Sequence, residues 1–123
     1  MAKHYLVTGG AGFIGSHIVE AFLKRGDKVR ILDNFATSKR RDMPVGAELF
    51  DASITDPRAM AAAFEGIEGV FHTAALPRVQ FSIEQPRESN EVNINGTLNV
   101  ILAAKEAGVK RIVYSASSSA YGD

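Results

Sequence analysis

The chain has 123 residues, of which 46% are hydrophobic, and its 14 basic and 14 acidic residues balance to zero net charge. This length suits one compact domain, so residues 1–123 are treated as a single unit. The balanced charge argues against nucleic acid or an anionic membrane as a partner, and no apolar run is long enough to span a bilayer. The chain has no cysteine, which excludes disulfides and thiolate chemistry, and we expect a cytoplasmic protein.

Short β-branched runs alternate with longer segments of helical periodicity along the chain. Strands are predicted at 4–8, 29–33, 48–50, 69–73 and 111–115. Helices are predicted at 13–25, from Asp56-Pro57 to Gly66, and at 88–107. Loops are predicted at 34–46, with room for one helical turn, and at 74–87. This alternation predicts an α/β fold, a doubly wound parallel sheet with helices on both faces.

A glycine-rich turn joins the first strand to the first helix. Gly9 permits a tight turn, Gly12 lets a pyrophosphate approach the backbone, and Gly15 allows close packing of helix on strand. The backbone N–H groups of Phe13 and Ile14 would then point at the phosphates from the helix N-terminus. Because a strand precedes this turn and a helix follows it, we interpret it as a dinucleotide-binding turn rather than as a merely tight one.

Asp33 ends the second strand, 18 residues after Gly15. A carboxylate in this position accepts hydrogen bonds from an adenosine ribose and repels a 2′-phosphate, so NAD is favoured over NADP. Lys39, Arg40 and Arg41 follow closely and could reach a phosphate, but we interpret them as a solvated basic loop. Together these features predict a five-stranded Rossmann-type sheet with strand order 3-2-1-4-5.

With these motifs in hand, the chain resembles the extended short-chain dehydrogenase/reductase family, and within it the nucleotide-sugar epimerases and dehydratases. The resemblance covers the whole chain and is carried by segments 7–16, 33–40, 51–52, 71–75, 93–97 and 115–122. It implies that Asp51-Ala52 hold the adenine ring and that Asn93 braces the active-site strand. The implied NAD-binding residues are Gly9, Gly12, Phe13, Ile14, Gly15, Asp33, Asn34, Thr37, Ser38, Asp51, Ala52, Thr73, Ala74, Ala75, Asn93 and Ser115.

The resemblance also assigns one catalytic residue. Ser117 stands four residues before Tyr121, as the family's catalytic Ser or Thr does, and is implied to hydrogen-bond the reacting oxygen of a nucleotide-sugar substrate. The family's chemistry also requires a Tyr-x-x-x-Lys pair, and neither Tyr5, Tyr114 nor Tyr121 begins one. The resemblance thus implies the N-terminal portion of an NAD-dependent epimerase, with its sheet truncated after the fifth strand. We expect it to be inactive alone, whether it is a fragment, a short natural product or a chain completed by a partner.

Two other functions stay open from the sequence: a stand-alone NAD-binding module, and the N-terminal half of another dehydratase or reductase of the same family. His72 is interpreted as a packed strand residue rather than a base. No zinc or other metal site is expected, because the histidines lack partners at ligand spacing. Apolar residues on more than one side of helix 88–107, and the open edge of the fifth strand, predict a homo-oligomer.

Overall fold

A five-stranded parallel sheet forms the centre of the protein, which a computed structural model describes at residues 3–39 and 43–122. The strands are β1 His4–Thr8, β2 Lys28–Asp33, β3 Glu48–Asp51, β4 Gly69–His72 and β5 Arg111–Tyr114. They lie in the order β3-β2-β1-β4-β5, and each pairing is parallel. The predicted strand order is confirmed. Because the winding reverses between β1 and β4, a crevice opens at the carboxyl ends of these two strands.

Five helices connect the strands over the described residues. They are α1 Phe13–Lys24, α2 Pro57–Met60, α3 Val79–Glu84, α4 Pro86–Asn90 and α5 Gly96–Glu106. A 3₁₀ turn, Ala61–Phe64, continues α2, a π-helical turn, Glu91–Asn95, joins α4 to α5, and a second 3₁₀ turn, Ser118–Tyr121, follows β5. The predicted start of α2 is confirmed: the side chain of Asp56 accepts a hydrogen bond from Ala59 N, and proline occupies the first helical position.

Each face of the sheet carries its own apolar core, because successive strand side chains point to opposite faces. On one face of β1, Val7 packs with Val19 and Phe22 of α1. On the other face, Leu6 packs in a larger cluster with Met60, Phe64, Val100 and Ala104, from α2, its continuation and α5. The helices thus lie on both faces, as predicted, and they leave the carboxyl ends of the central strands accessible.

The segment 74–87, predicted as a loop, is where the structure differs most from expectation. It contains α3, and α4 begins at Pro86, two residues before the predicted helix start. Pro77 and Pro86 suggested a loop, but proline fits the first position of a helix because its missing N–H has no intrahelical partner there. The non-helical backbone of Gln85 (φ −128°, ψ 64°) separates α3 from α4.

Helix α1 buries one face against the sheet and leaves other apolar residues exposed. Ile14, Ile18 and Phe22 are spaced four apart in the sequence, yet Ile14 is 59% exposed. The buried residues of α1 are Gly15, Val19 and Phe22. Ile14 instead lies in the first turn of the helix, at the mouth of the crevice.

Two residues of the predicted basic loop, Arg40 and Arg41, lie outside the described residues.

Candidate functional site

The glycine-rich turn holds three backbone segments in close contact. Gly9 has a left-handed backbone (φ 70°), and its N–H donates to the carbonyl of Leu32 in β2 at 2.8 Å. A Cβ atom on Gly9 would lie 2.9 Å from the backbone of Ala74, and one on Gly15 would lie 2.2 Å from the carbonyl oxygen of Gly9. Side chains at either position would therefore push the turn away from β4 or from α1.

The first turn of α1 presents free N–H groups to the crevice. Gly12 caps the helix without a side chain, and the first intrahelical bond is donated by Ser16 N to Gly12 O at 2.9 Å. The N–H groups of Phe13, Ile14 and Gly15 therefore have no acceptor within the helix. No acidic residue occupies this first turn, so the positive end of the helix dipole is available to an anion.

The carboxylate of Asp33 lies where the second strand meets the glycine turn. Its Oδ2 accepts from Ala11 N at 3.1 Å, and its Oδ1 accepts from Phe35 N at 2.7 Å. Phe35 has a positive φ of 59°, which is uncommon for a bulky residue. Each oxygen of an ionised carboxylate can accept more than one hydrogen bond, so Asp33 retains capacity for hydroxyl donors from a ligand.

Two adjoining cavities, of about 320 and 650 Å³, form one continuous crevice along these elements. The residues common to both are Gly9, Gly12, Thr37, Thr73, Ala74, Ala75 and Leu76. Among the predicted residues, the smaller cavity is also lined by Asp33, Asn34, Ser38 and Ala52. The larger cavity is also lined by Phe13, Ile14, Gly15, Asn93, Ser115 and Ser117.

Asp51 is the predicted site residue that the structure does not bring to the crevice. The strand β3 continues through Asp51, which pairs with Asp33, and the chain turns toward the crevice only at Ala52. Ser53 and Ile54, which the sequence interpretation missed, line the cavity next to Ala52. The run of small and apolar residues between β3 and the cap of α2 is the sequence feature that could have indicated them.

The segment Thr73–Leu76, which we call the crevice wall, is held at both ends by hydrogen bonds. At its start, the N–H groups of Thr73 and Ala74 donate to the hydroxyl of Thr8 at 3.1 and 3.2 Å. At its end, the Asn93 amide accepts from Leu76 N at 2.7 Å and donates to Leu76 O at 3.0 Å. The resemblance implied that Asn93 braces the active-site strand, which is β5. In the structure its amide instead bonds the chain that follows β4.

His72, the last residue of β4, immediately precedes the crevice wall, borders the larger cavity and is 2% exposed. Its Nδ1 is 2.6 Å from the Thr8 hydroxyl and its Nε2 is 2.9 Å from the Thr97 hydroxyl. Its ring stacks on Tyr114 of β5 with centroids 5.7 Å apart. Burial lowers the pKa of His72 to about 4, so the ring is neutral at physiological pH. The structure confirms the interpretation of His72 as a packed residue with both ring nitrogens paired.

Ser117 caps the short turn that follows β5. Its Oγ accepts from Ser119 N at 3.0 Å, and its exposed side chain borders the larger cavity. Ser115 is tied to β4 through its N–H, which donates to His72 O at 3.1 Å. The Ser-rich segment therefore reaches the crevice from the side opposite to Asp33.

Neither a metal cluster nor a membrane-spanning element is found within residues 3–39 and 43–122. No three of their His, Asp and Glu side chains are grouped so that they could hold a metal ion. None of their helices combines the length and the apolar character needed to cross a bilayer.

Comparison with known proteins identifies the family. Residues 5–123 match the model of the NAD dependent epimerase/dehydratase family. The chain belongs to this family. The resemblance inferred from the motifs is thereby confirmed, and the match includes the glycine turn, the crevice wall and Ser117.

Individual relatives and solved structures are similar over nearly the whole chain. A UDP-glucose 4-epimerase of Klebsiella pneumoniae is 40% identical over 127 residues, covering 96% of this chain and 91% of that protein. A 3 beta-hydroxysteroid dehydrogenase/Delta 5-->4-isomerase of Mycobacterium tuberculosis is 42% identical, covering 93% of this chain and 31% of that protein.

Two crystal structures of UDP-glucose 4-epimerases superpose closely on the fold. The Thermus thermophilus enzyme in complex with NAD is 43% identical with a TM-score of 0.88, covering 93% of this chain and 37% of that one. The Thermotoga maritima enzyme with UDP-glucose is 35% identical with a TM-score of 0.91, covering 95% and 38%. This chain therefore spans less than two fifths of the length of either enzyme.

Proposed function

We propose that residues 1–123 form the NAD-binding portion of a nucleotide-sugar 4-epimerase that interconverts UDP-glucose and UDP-galactose. The observation that carries the proposal is the continuous crevice from Asp33, past the N-terminus of α1, to Ser117. A carboxylate for a ribose, free helix N–H groups for phosphates and a hydroxyl for a sugar oxygen follow one another along it. Family membership supports this reading of the crevice.

The residues along the crevice fit NAD in the order expected of the dinucleotide. The ribose hydroxyls would donate to Asp33, and the pyrophosphate would accept from the N–H groups of Phe13 and Ile14, where Gly12 leaves room for it. The adenine ring would lie against Ala52 and its neighbours at the smaller cavity. When bound, NAD would supply a hydride acceptor for the sugar C4 and return the hydride to the opposite face.

The chain's own contribution to the reaction is binding and orientation. Ser117 would hydrogen-bond the reacting sugar oxygen, while the acid/base step requires the Tyr-x-x-x-Lys pair that this sequence does not contain. We therefore expect the 123-residue chain alone to bind NAD without turnover. An assay for interconversion of UDP-glucose and UDP-galactose by the purified chain tests this, and any turnover would contradict it.

The relatives also support a second candidate function within the same family. The similarity to a steroid dehydrogenase/isomerase, which covers 31% of that protein, indicates that enzymes of different activity contain a segment like this chain. A stand-alone NAD-binding module without catalysis is the third candidate. Adding UDP-glucose to the NAD-loaded chain separates these, because tighter NAD binding in its presence is expected only of a nucleotide-sugar enzyme.

The direct test of the cofactor proposal is a calorimetric titration with NAD and with NADP. We expect NAD to bind more tightly, and Asp33→Asn to reduce the NAD affinity about tenfold or more, since hydrogen bonds to a charged group contribute roughly 1.5–3 kcal/mol. Glu65→Gln is the control, because it removes one negative charge from an exposed residue that lines neither cavity. Tighter NADP binding by the unmodified chain would contradict the assignment of Asp33.

We further propose that the chain self-associates, through α5 or through the outer edge of β5. Three apolar residues of α5 are about half exposed, namely Leu98, Ile101 and Leu102. Within the described sheet, β5 pairs only with β4, so its other edge presents unpaired N–H and C=O groups. Sedimentation velocity at increasing concentration tests this proposal, and a single monomeric species at the highest concentration would contradict it.

The cytoplasmic location of the protein stays a prediction.

A further inference from the structure

A closed ring of hydrogen bonds includes the crevice wall and links its two ends. Its members, in order, are Thr8, His72, Thr97, Asn93, Leu76 and Ala74. Each link between side chains or from side chain to backbone is 2.6–3.2 Å long. From Ala74 to Leu76 the ring follows the covalent chain of the wall, and Asn93 joins the ring through its backbone carbonyl on one side and its side-chain amide on the other. The ring therefore joins the two ends of the wall through the interior of the protein.

The hydrogen positions on the ring follow from counting donors and acceptors. The hydroxyl of Thr97 has one hydrogen, which it donates to the carbonyl of Asn93 at 2.7 Å. Toward His72 it can therefore act only as an acceptor, which places a hydrogen on His72 Nε2.

The same count fixes the other ring nitrogen. The hydroxyl oxygen of Thr8 accepts from the N–H of Ala74, and it shares the N–H of Thr73 with the Thr8 backbone carbonyl. Its own hydrogen is left to donate to His72 Nδ1, at 2.6 Å. A hydrogen on Nδ1 would compete with these two N–H groups for the Thr8 oxygen and would leave the hydroxyl hydrogen of Thr8 without this acceptor. The network thus admits one form of the imidazole, neutral with its hydrogen on Nε2.

We propose that His72 is a positioning residue for the dinucleotide crevice, holding Thr8 and Thr97 at fixed separation so that both ends of the wall Thr73–Leu76 keep their place. The role in dinucleotide binding rests on the function proposed above, whereas the ring itself does not. Thr8 orients the N–H groups at the start of the wall, and the Thr97 bond holds the helical turn that carries Asn93 to its end.

The surroundings of the ring explain why a histidine suits this position. His72 is packed between Tyr114 and the two threonines, and Thr8 is fully buried. An apolar residue of the same shape would stack on Tyr114 but would leave the Thr8 hydroxyl without an acceptor. The imidazole supplies an acceptor and a donor on opposite edges of one rigid plane, which suits a bridge between two hydroxyls.

The first arm of the test is independent of any ligand. In the chain labelled with ¹⁵N-histidine, nuclear magnetic resonance at neutral pH is expected to show His72 in the Nε2–H form alone. The Nδ1–H form, or a mixture of the two, would overturn the assignment. This measurement uses the unmodified protein and so does not depend on the folding of a variant.

The second arm compares Thr97→Val, which removes the acceptor for Nε2, with Thr97→Ser, which keeps it. We expect Thr97→Val to speed amide exchange at Ala74 and Leu76, and to weaken NAD binding about tenfold, as loss of one buried hydrogen bond does. Thr97→Ser keeps the acceptor, so its amide exchange and its NAD affinity should match those of the unmodified chain. Val100→Ala, a buried core variant on the same helix, should lower stability while leaving the NAD affinity of the folded chain unchanged.

The outcomes separate the two proposals. If the unmodified chain fails to bind NAD, the proposed function fails, while the imidazole form and the amide exchange still test the ring. If the unmodified chain binds NAD and Thr97→Val binds equally well with unchanged exchange, the positioning role of His72 is overturned. If Thr97→Val does not fold, the exchange rates of Thr97→Ser and the imidazole form decide.

Discussion

The side-chain amide of Asn93 forms a two-way pair with the backbone of Leu76, accepting from its N–H at 2.7 Å and donating to its carbonyl at 3.0 Å. Both Leu76 groups lie in a partly buried segment, so loss of the amide leaves a donor and an acceptor unpaired. We predict that Asn93→Ala lowers the free energy of unfolding by about 1–3 kcal/mol, measured by urea denaturation. Asn95→Ala is the control: that amide bonds an exposed Glu91, so a change within roughly 0.5 kcal/mol is expected.

Gly15 and Gly12 of the turn should respond differently to a methyl group. A Cβ on Gly15 would lie 2.2 Å from Gly9 O and 2.8 Å from Gly9 C, which are backbone atoms that cannot move aside. The gain in helix propensity, about 1 kcal/mol, does not offset such overlap. We predict that Gly15→Ala destabilises the protein by about 3 kcal/mol or more, and equal stability to the unmodified chain in urea denaturation would refute this.

Gly12→Ala should weaken NAD binding more than it lowers stability. Its Cβ would meet only Gly9 O, at 3.2 Å, and the backbone there is extended rather than left-handed. We expect a stability loss of about 1 kcal/mol or less, but clearly weaker NAD binding, because the methyl group would project into the crevice beside the N–H groups of α1. Paired urea denaturation and NAD titration check both halves. Weakened stability with intact NAD affinity would contradict the placement of the pyrophosphate.

The parts of the fold that the sequence predicted are those encoded by local patterns. The β-branched runs located the strands to within one residue or so, and the strand–glycine turn–helix context of Gly9 to Gly15 indicated where the crevice opens. Parallel order then followed from alternation and from the resemblance. Ser117 and Asp33 could be placed at the crevice because both lie at strand ends, where a parallel sheet gathers its loops.

The parts that the sequence missed depend on single-residue register or on distant partners. Asp51 was expected at the crevice, but one additional strand residue moved the turn to Ala52. The start of α4 was missed because Pro86 is compatible with both a loop and a helix start. The partner of Asn93 is a backbone group 17 residues away, and no periodicity in the sequence indicates it.

Stability should depend on pH through His72. Burial lowers the pKa of this imidazole from 6.5 to about 4, so between these values the unfolded chain holds more protons on it than the folded chain. The free energy of unfolding therefore rises with pH across this window. Stability is lost as pH falls from 6.5 toward 4, by up to about 3 kcal/mol for this group.

The control for that prediction is His72→Gln, which has no titrating group at this position. The difference in unfolding free energy between the two proteins should change between pH 4 and 6.5 and be flat above pH 7. His4, whose pKa burial and Arg30 also lower, adds a contribution of the same sign that is common to both proteins. A constant difference between the two proteins over the whole range would show that His72 is not held neutral.

The final prediction concerns the contact between Gly96, at the start of α5, and Ile54, which lines the smaller cavity. A Cβ on Gly96 would lie 2.6 Å from Ile54 Cδ1 and 2.7 Å from its Cγ1. Gly96→Ala should therefore destabilise the chain by about 1–3 kcal/mol, the usual cost of overpacking, despite the higher helix propensity of alanine. Unlike the overlap at Gly15, this one involves a side chain that can be shortened.

Ile54→Ala alone should cost about 2–5 kcal/mol, because Ile54 is 5% exposed and its loss leaves a cavity. In the double variant the new methyl group partly fills that cavity and gains helix propensity, so the two losses should not add. We expect the double variant to be more stable than the sum predicts by about 1 kcal/mol or more in a double-mutant cycle. Strict additivity would show that α5 shifts away from Ile54 rather than packing against it, and the smaller cavity would then be wider than the structure has it.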